Sequence, residues 1–215
     1  MEPHKISPLP PLYGLALCGG KSRRMGQDKA SLRYEQRRQI ERAFQLLSRF
    51  CERVFVSIRE DQREISLYES FPYLIDRHKG IGPISGIAAA FDAYPKSAWL
   101  VMAIDLPLAD SRLLIRLVEN RCSDKAAIAF SRDRSRHGKK VVFIEPLCTI
   151  YEPLILPLLR KGIDSHEYSI RGLMLQTDIR LIHLSDRADL TKLTNVNDRE
   201  SYTKIIRHKN PIKIP

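Results

Sequence analysis

Ala98–Ile104 (AWLVMAI) is the most apolar stretch of the chain, and it runs straight into Asp105-Leu106-Pro107. A short apolar run stopped by proline reads as a buried strand. A membrane-crossing helix would need about 20 such residues. Short strand-like runs recur at Tyr13–Cys18, Arg53–Ile58, Phe71–Ile75, Ala126–Phe130, Val141–Ile144 and Arg180–Leu184. Between them lie segments that read as helices. Gln36–Phe50 carries Ile40, Ala43, Phe44, Leu46 and Leu47 at helical spacing, and Asp110–Arg121 is amphipathic. Pro83–Ala93, Tyr151–Lys161, Ile170–Leu175 and Arg199–Arg207 complete the set. Strands alternating with helices from end to end predict an α/β domain on a mostly parallel sheet.

A chain of 215 residues can bury a full core as one domain. The expected organisation is a Pro-rich arm over 1–11, one domain over 12–208 and a tail over 209–215. With 43% hydrophobic and 28% charged residues, disorder and collagen are excluded. The N-terminus carries four prolines and no apolar leader core, so a cytoplasmic protein is expected. Cys18, Cys51, Cys122 and Cys148 include no CxxC pair and read as thiols, not bridges. The absence of HExxH removes support for a zinc hydrolase.

The net charge is +11, and three stretches hold the excess: 21–42, 132–140 and 204–213. Clustered positive charge points either to an anionic partner or to a basic solvated surface. Ligands of parallel sheets bind at the carboxyl ends of strands. After the first strand comes Leu17–Ala30, LCGGKSRRMGQDKA. Gly19 and Gly20 let backbone N–H groups approach an anion, and Lys21, Arg23, Arg24 and Lys29 follow as cations. That combination suits a triphosphate. A P-loop would need glycine where Leu15 stands, and GxGxxG is absent. After the most apolar strand, Asp105 sits at the sheet's carboxyl edge as a lone carboxylate, of the kind Mg²⁺ takes alongside phosphate oxygens and water.

These residues resemble the MobA-like nucleotidyltransferases, which guanylylate molybdenum cofactor and carry LAGGxSxRMGxDKA. Cys18 replaces the alanine. The resemblance extends through Asp76 before Gly82-Pro83-Ile84-Ser85-Gly86, Asp105-Leu106-Pro107, Glu145–Tyr151, and Asn195-Val196-Asn197. It implies a three-layer Rossmann-like fold and a Mg²⁺-dependent transfer of GMP from GTP to molybdenum-bound molybdopterin. It implies catalytic roles for Arg24, Lys29 and Asp105, with Asp105 also the metal ligand. The implied nucleotide-binding set is Leu17, Cys18, Gly19, Gly20, Lys29, Asp76 and Asp105, with Asn195 and Asn197 on the acceptor side. No membrane or nucleic-acid partner is implied, while transient contact with cofactor-delivery or acceptor proteins is compatible with it. Alternatives are a relative using CTP or another phosphate acceptor, and a non-catalytic nucleic-acid-binding module.

Several residues support two readings. Asp76 either accepts hydrogen bonds from a guanine edge or pairs with Arg77 or Lys79 at the surface. Asn195 and Asn197 share one face if extended, while Asn197 with Glu200 also fits a helix cap. The 131–140 stretch reads as a solvated loop or, by the resemblance, as cations for the acceptor's phosphate. The family's G-x-P-L stretch is replaced by Tyr34–Ile40, which predicts a longer following helix with an altered entry turn.

Overall fold

The computed structural model describes residues 8–18, 29–31, 33–34, 37–136 and 139–196. Among the described residues there are nine strands: β1 (Leu12–Leu17), β2 (Arg33–Tyr34), β3 (Arg37–Arg38), β4 (Arg53–Arg59), β5 (Tyr73–Asp76), β6 (Ala98–Ala103), β7 (Ala127–Arg136), β8 (Lys139–Tyr151) and β9 (Ile179–His183). The helices are α1 (Gln39–Leu47), α2 (Ser66–Glu69), α3 (Pro83–Ala93), α4 (Ser111–Glu119), α5 (Leu156–Asp164), α6 (Ile170–Met174) and α7 (Arg187–Lys192). Seven strands form one sheet in the order β5-β4-β1-β6-β8-β7-β9. Within this sheet all pairings are parallel except those of β8 with β6 and β7. The expected mostly parallel α/β architecture is therefore observed.

Every residue of β6 is buried. Its side chains alternate between two cores, as strand geometry requires. Ala98, Leu100 and Met102 join Ile40 and Leu47 of α1 and Leu113 and Leu117 of α4. Trp99 and Val101 join Ile84, Ile87 and Phe91 of α3, with Leu159 of α5 and Leu173 of α6. Helices thus cover both faces of the sheet, giving three layers.

Four expectations need correction. Tyr34–Ile40 does not lengthen the next helix. Its backbone makes the two-residue ribbon β2–β3, and Arg38 N–H donates to Glu41 Oε2 at 3.1 Å, fixing the start of α1 at Gln39. Tyr151 does not open a helix. It pairs with Trp99 and Ala127 as the last residue of β8, and α5 begins only at Leu156, after Pro153. The stretch 131–140 is no simple loop, because β7 and β8 pair from Ser131↔Ile144 out to Arg136↔Lys139. Asp76 does not follow its strand but ends β5. The helix expected over Arg199–Arg207, the tail and residues 1–7 of the arm lie outside the described residues.

Candidate functional site

A cavity of about 820 Å³ opens at the carboxyl ends of the parallel strands. That volume lies in the range of small-molecule sites. Leu17 and Cys18 come from the end of β1, and Ala103, Ile104 and Asp105 from the end of β6. The two strands are direct neighbours, with Leu17 opposite Ala103. Ile104 N–H donates to the Leu17 carbonyl at 3.3 Å, and Cys18 N–H to the Ser57 carbonyl at 2.9 Å. Those bonds hold the two loop starts side by side as they leave the sheet. Leu17, Cys18 and Asp105 therefore face one space.

Asp76 lines the same cavity from β5. Its carboxylate accepts a hydrogen bond from Ser57 Oγ at 2.5 Å. Burial pushes its pKa up from 3.8 to about 6, against the opposing pull of Ser57 and Arg59. The alternative of surface pairing with Arg77 does not hold, since Arg77 lies instead 3.9 Å from Asp92. Gly80 and Gly82 both adopt φ near +81°, where a side chain would be strained, so the turn into α3 needs glycine there. A Cβ on Gly86 would collide with Ser57 Oγ and come within 2.9 Å of Leu17 Cδ2. Glycine at 86 therefore lets α3 press directly onto the Ser57–Asp76 pair.

The opposite wall is built by an irregularity in β8. The β7–β8 register shifts between Ala129 and Phe130, so Pro146–Cys148 have no partners on β7 and form a bulge, with Cys148 still paired to Met102 of β6. Proline inside a strand calls for such a place, because it has no N–H to give the ladder. Tyr151 Oη donates to the Pro146 carbonyl at 2.7 Å, and Glu145 accepts from Leu147 N–H at 3.2 Å. The bulge puts Leu147 against the cavity. Glu145 is buried, which raises its pKa; the nearby Asp105 raises it further, and Arg132 opposes.

The segment beyond α7 returns to the same place. Arg116–Asp189 at 2.8 Å and Lys192–Asp110 at 3.1 Å tie α7 to α4. Val196 N–H then donates to the Asp105 carbonyl at 2.8 Å. Asn195 is exposed one residue away, so this acceptor-side candidate sits beside Asp105. Gly19, Gly20, Arg24, the side chain of Lys29, and Asn197 lie outside the described residues. Sequence reasoning missed Ser57, Arg59, Glu60, Asp61, His78 and Leu147, all of which line the cavity. Position after a strand could have flagged Glu60 and Asp61; Leu147 lay within the Glu145–Tyr151 segment of the resemblance, but nothing singled it out there as a cavity residue. Among the described residues, no group of three or more His, Cys, Asp or Glu is placed to hold a metal. The Asp105 carboxylate at this cavity fits Mg²⁺, which takes one or two protein carboxylates and keeps most of its shell for phosphate and water.

Residues 14–178 match the model of the MobA-like NTP transferase domain. A molybdenum cofactor biosynthesis bifunctional protein of Synechocystis sp. is 35% identical over 195 residues, covering 91% of this chain. The chain spans only 54% of that relative's length. A probable molybdenum cofactor guanylyltransferase of Synechococcus elongatus is 30% identical over 193 residues, 86% of this chain and 94% of the relative. The crystal structure of molybdopterin-guanine dinucleotide biosynthesis protein A from Archaeoglobus fulgidus shares the fold. It superposes with TM-score 0.76 at 21% identity over 93% of this chain and all of the other.

Proposed function

The chain belongs to the MobA-like NTP transferase family, and we propose that it transfers GMP from GTP to the phosphate of molybdenum-bound molybdopterin, releasing pyrophosphate. The observation that carries this reading is the meeting of Leu17–Cys18 and Asp105, on neighbouring strands, at one cavity. The relative named as a probable molybdenum cofactor guanylyltransferase supports the choice of donor and acceptor.

In the transfer, an acceptor phosphate oxygen attacks the α-phosphorus of GTP. One P–O bond forms there as the bond to the β,γ-pyrophosphate breaks. No protein nucleophile is needed, so the chain works by positioning and by offsetting charge. The backbone at Gly19 and Gly20 takes triphosphate oxygens, with Leu17 and Cys18 leading into it. Arg24 and Lys29 offset the charge growing on pyrophosphate. Asp76 accepts from the base, while Asn195 and Asn197 orient the acceptor. Asp105 would hold Mg²⁺, which when bound supplies polarisation of phosphate oxygens. None of the four cysteines is in a disulfide, which suits a cytoplasmic enzyme.

A pyrophosphate-release assay with molybdenum-loaded molybdopterin and GTP, CTP or ATP tests the reading. GTP should be the preferred donor; preference for CTP would overturn the guanine assignment. Asp105→Asn should stay folded and lose about a thousandfold in rate, the scale of several kcal/mol of charge stabilisation. Transfer near the wild-type rate would remove Asp105 from the mechanism.

A further inference from the structure

Arg59 stands directly opposite Asp76 in the parallel pairing of β4 with β5. Partners in such a pair send their side chains to the same face of the sheet. Ser57, two residues earlier, lies on that face too, as its bond to Asp76 requires. Arg59 and Asp76 therefore leave the sheet side by side, and both line the cavity. The guanidinium is near enough to favour the charged form of the Asp76 carboxyl.

That guanidinium is also held in one orientation. Its Nε lies 2.8 Å from Asp61 Oδ1 and its Nη2 3.2 Å from Asp61 Oδ2, a two-pronged contact that fixes the plane of the group. The turn that carries Asp61 is anchored in its turn. Gln62 is buried; its Oε1 accepts from Arg59 N–H at 2.9 Å, and its Nε2 donates to Tyr68 Oη at 2.9 Å. The Asp61 side chain is 68% exposed, so its pair with Arg59 adds little to stability. A planar cation fixed in advance on a cavity wall is suited instead to recognition.

A carboxylate and a guanidinium side by side make an acceptor next to a donor. Guanine carries the complement along one edge: N1–H and the 2-amino group donate, and O6 accepts. Adenine has an amino donor where guanine has O6, and cytosine has an acceptor, N3, where guanine has N1–H. Either base would set like against like on this wall and leave polar groups unmatched, the arrangement that discriminates most strongly between similar ligands.

We infer that Arg59, held by Asp61, donates to O6 of the guanine while Asp76 accepts from the N1 side of the same edge. Arg59 is then a specificity-determining residue and Asp61 its positioning residue. This rests on the function proposed above and deepens it, by naming the group that rejects an amino substituent at the 6-position.

The test measures equilibrium binding of GTP, ITP, 6-thio-GTP, ATP and CTP to the full chain without acceptor. ITP lacks only the 2-amino group, and 6-thio-GTP exchanges only O6, for a sulfur that accepts hydrogen bonds weakly. The wild type is compared with Arg59→Ala and Asp61→Asn. The contacts removed lie at a partly exposed wall, so both variants should unfold within a few degrees of the wild type. The wild type should bind GTP about tenfold more tightly than 6-thio-GTP, the scale of one charged hydrogen bond. Arg59→Ala should lose about tenfold for GTP and bring GTP and 6-thio-GTP within about twofold, while the ratio of GTP to ITP stays at its wild-type value. Asp61→Asn should shift the same ratio in the same direction by less. In turnover the loss should appear in the GTP KM, with kcat little changed. A GTP to 6-thio-GTP ratio untouched by Arg59→Ala overturns the inference and leaves the proposed transfer intact. An equal loss for GTP, 6-thio-GTP and ITP overturns it as well, because a merely structural role weakens all three alike. A wild type that prefers ATP or CTP to GTP overturns both the guanine assignment and this inference. Arg59-dependent discrimination without GMP transfer overturns only the proposed reaction.

Discussion

Asp76→Asn separates the stability of this protein from its function. The Asp76 pKa stands at 3.8 without the fold and about 6 within it, because burial penalises its charge more than Ser57 and Arg59 favour it. The folded state therefore holds a proton that the unfolded state releases over this range. Stability contributed by the protonated carboxyl is fully present below about pH 4 and is lost as pH rises through about 6. At about 1.4 kcal/mol per pKa unit, ionising Asp76 in the folded protein costs about 3 kcal/mol at neutral pH. Asparagine has no proton to lose. The variant should gain about 3 kcal/mol over the wild type between about pH 4 and pH 7.5, with the gap growing most steeply between 4 and 6. Urea unfolding of both proteins at half-unit pH steps measures it, because differences common to other groups cancel. A gap that stays constant across this range would refute the burial account of Asp76. The same substitution should weaken GTP binding, since the costly charge is the proposed acceptor for the base.

Gly86→Ala forces a methyl group into Ser57 Oγ and Leu17. Overpacking costs about 1–3 kcal/mol, offset by about 1 kcal/mol of helix propensity, so a net loss of about 1 kcal/mol is expected by urea unfolding. A gain in stability would mean that α3 does not pack as closely as described. Glu152→Ala leaves the Arg121 guanidinium, 2.6 Å from both Glu152 and the Pro10 carbonyl, buried without its carboxylate. The expected loss is about 3–5 kcal/mol, read from the denaturation midpoint. Replacing both partners by Met and Leu should recover most of it.

Much of the sheet was legible because its strands obey simple patterns. Ala98–Ile104 and Pro83–Ala93 are short, apolar and bounded by proline or glycine, and the observed β6 and α3 differ from them by one residue at most. β8 was not legible in full. Pro146 and the charges at 139–145 look like strand breakers, yet a bulge absorbs the proline and the ribbon's edge tolerates the charges. α7 was missed as well: none of its residues is fully buried, Leu190 alone packs against the core, and ion pairs tie the helix to α4. At the site, Asp76 and Asp105 could be found from their places after apolar runs. Ser57 could not, because it sits inside an apolar strand as a small polar residue, and only the third dimension shows it bonded to Asp76.

The direction of β8 would let one sheet serve both substrates of the proposed transfer. The parallel strands β5, β4, β1 and β6 all end at the cavity; β5 and β4 bring their last residues there, Asp76 and Arg59, and β1 and β6 the residues just beyond them, Cys18 and Asp105. Ends alone leave a shallow edge on the β6 side. A parallel neighbour beyond β6 would stop at the same level. Because β8 is reversed, it passes that level in mid-strand, and its bulge turns Leu147 inward. The strand then continues past the edge with β7 as a two-stranded wall that carries Phe143, Arg132 and Arg134. In the transfer proposed above, the donor would meet the ends of the parallel strands and the acceptor the antiparallel wall that runs past them. Changes to the β7–β8 wall should accordingly alter the choice of acceptor before they alter the choice of nucleotide.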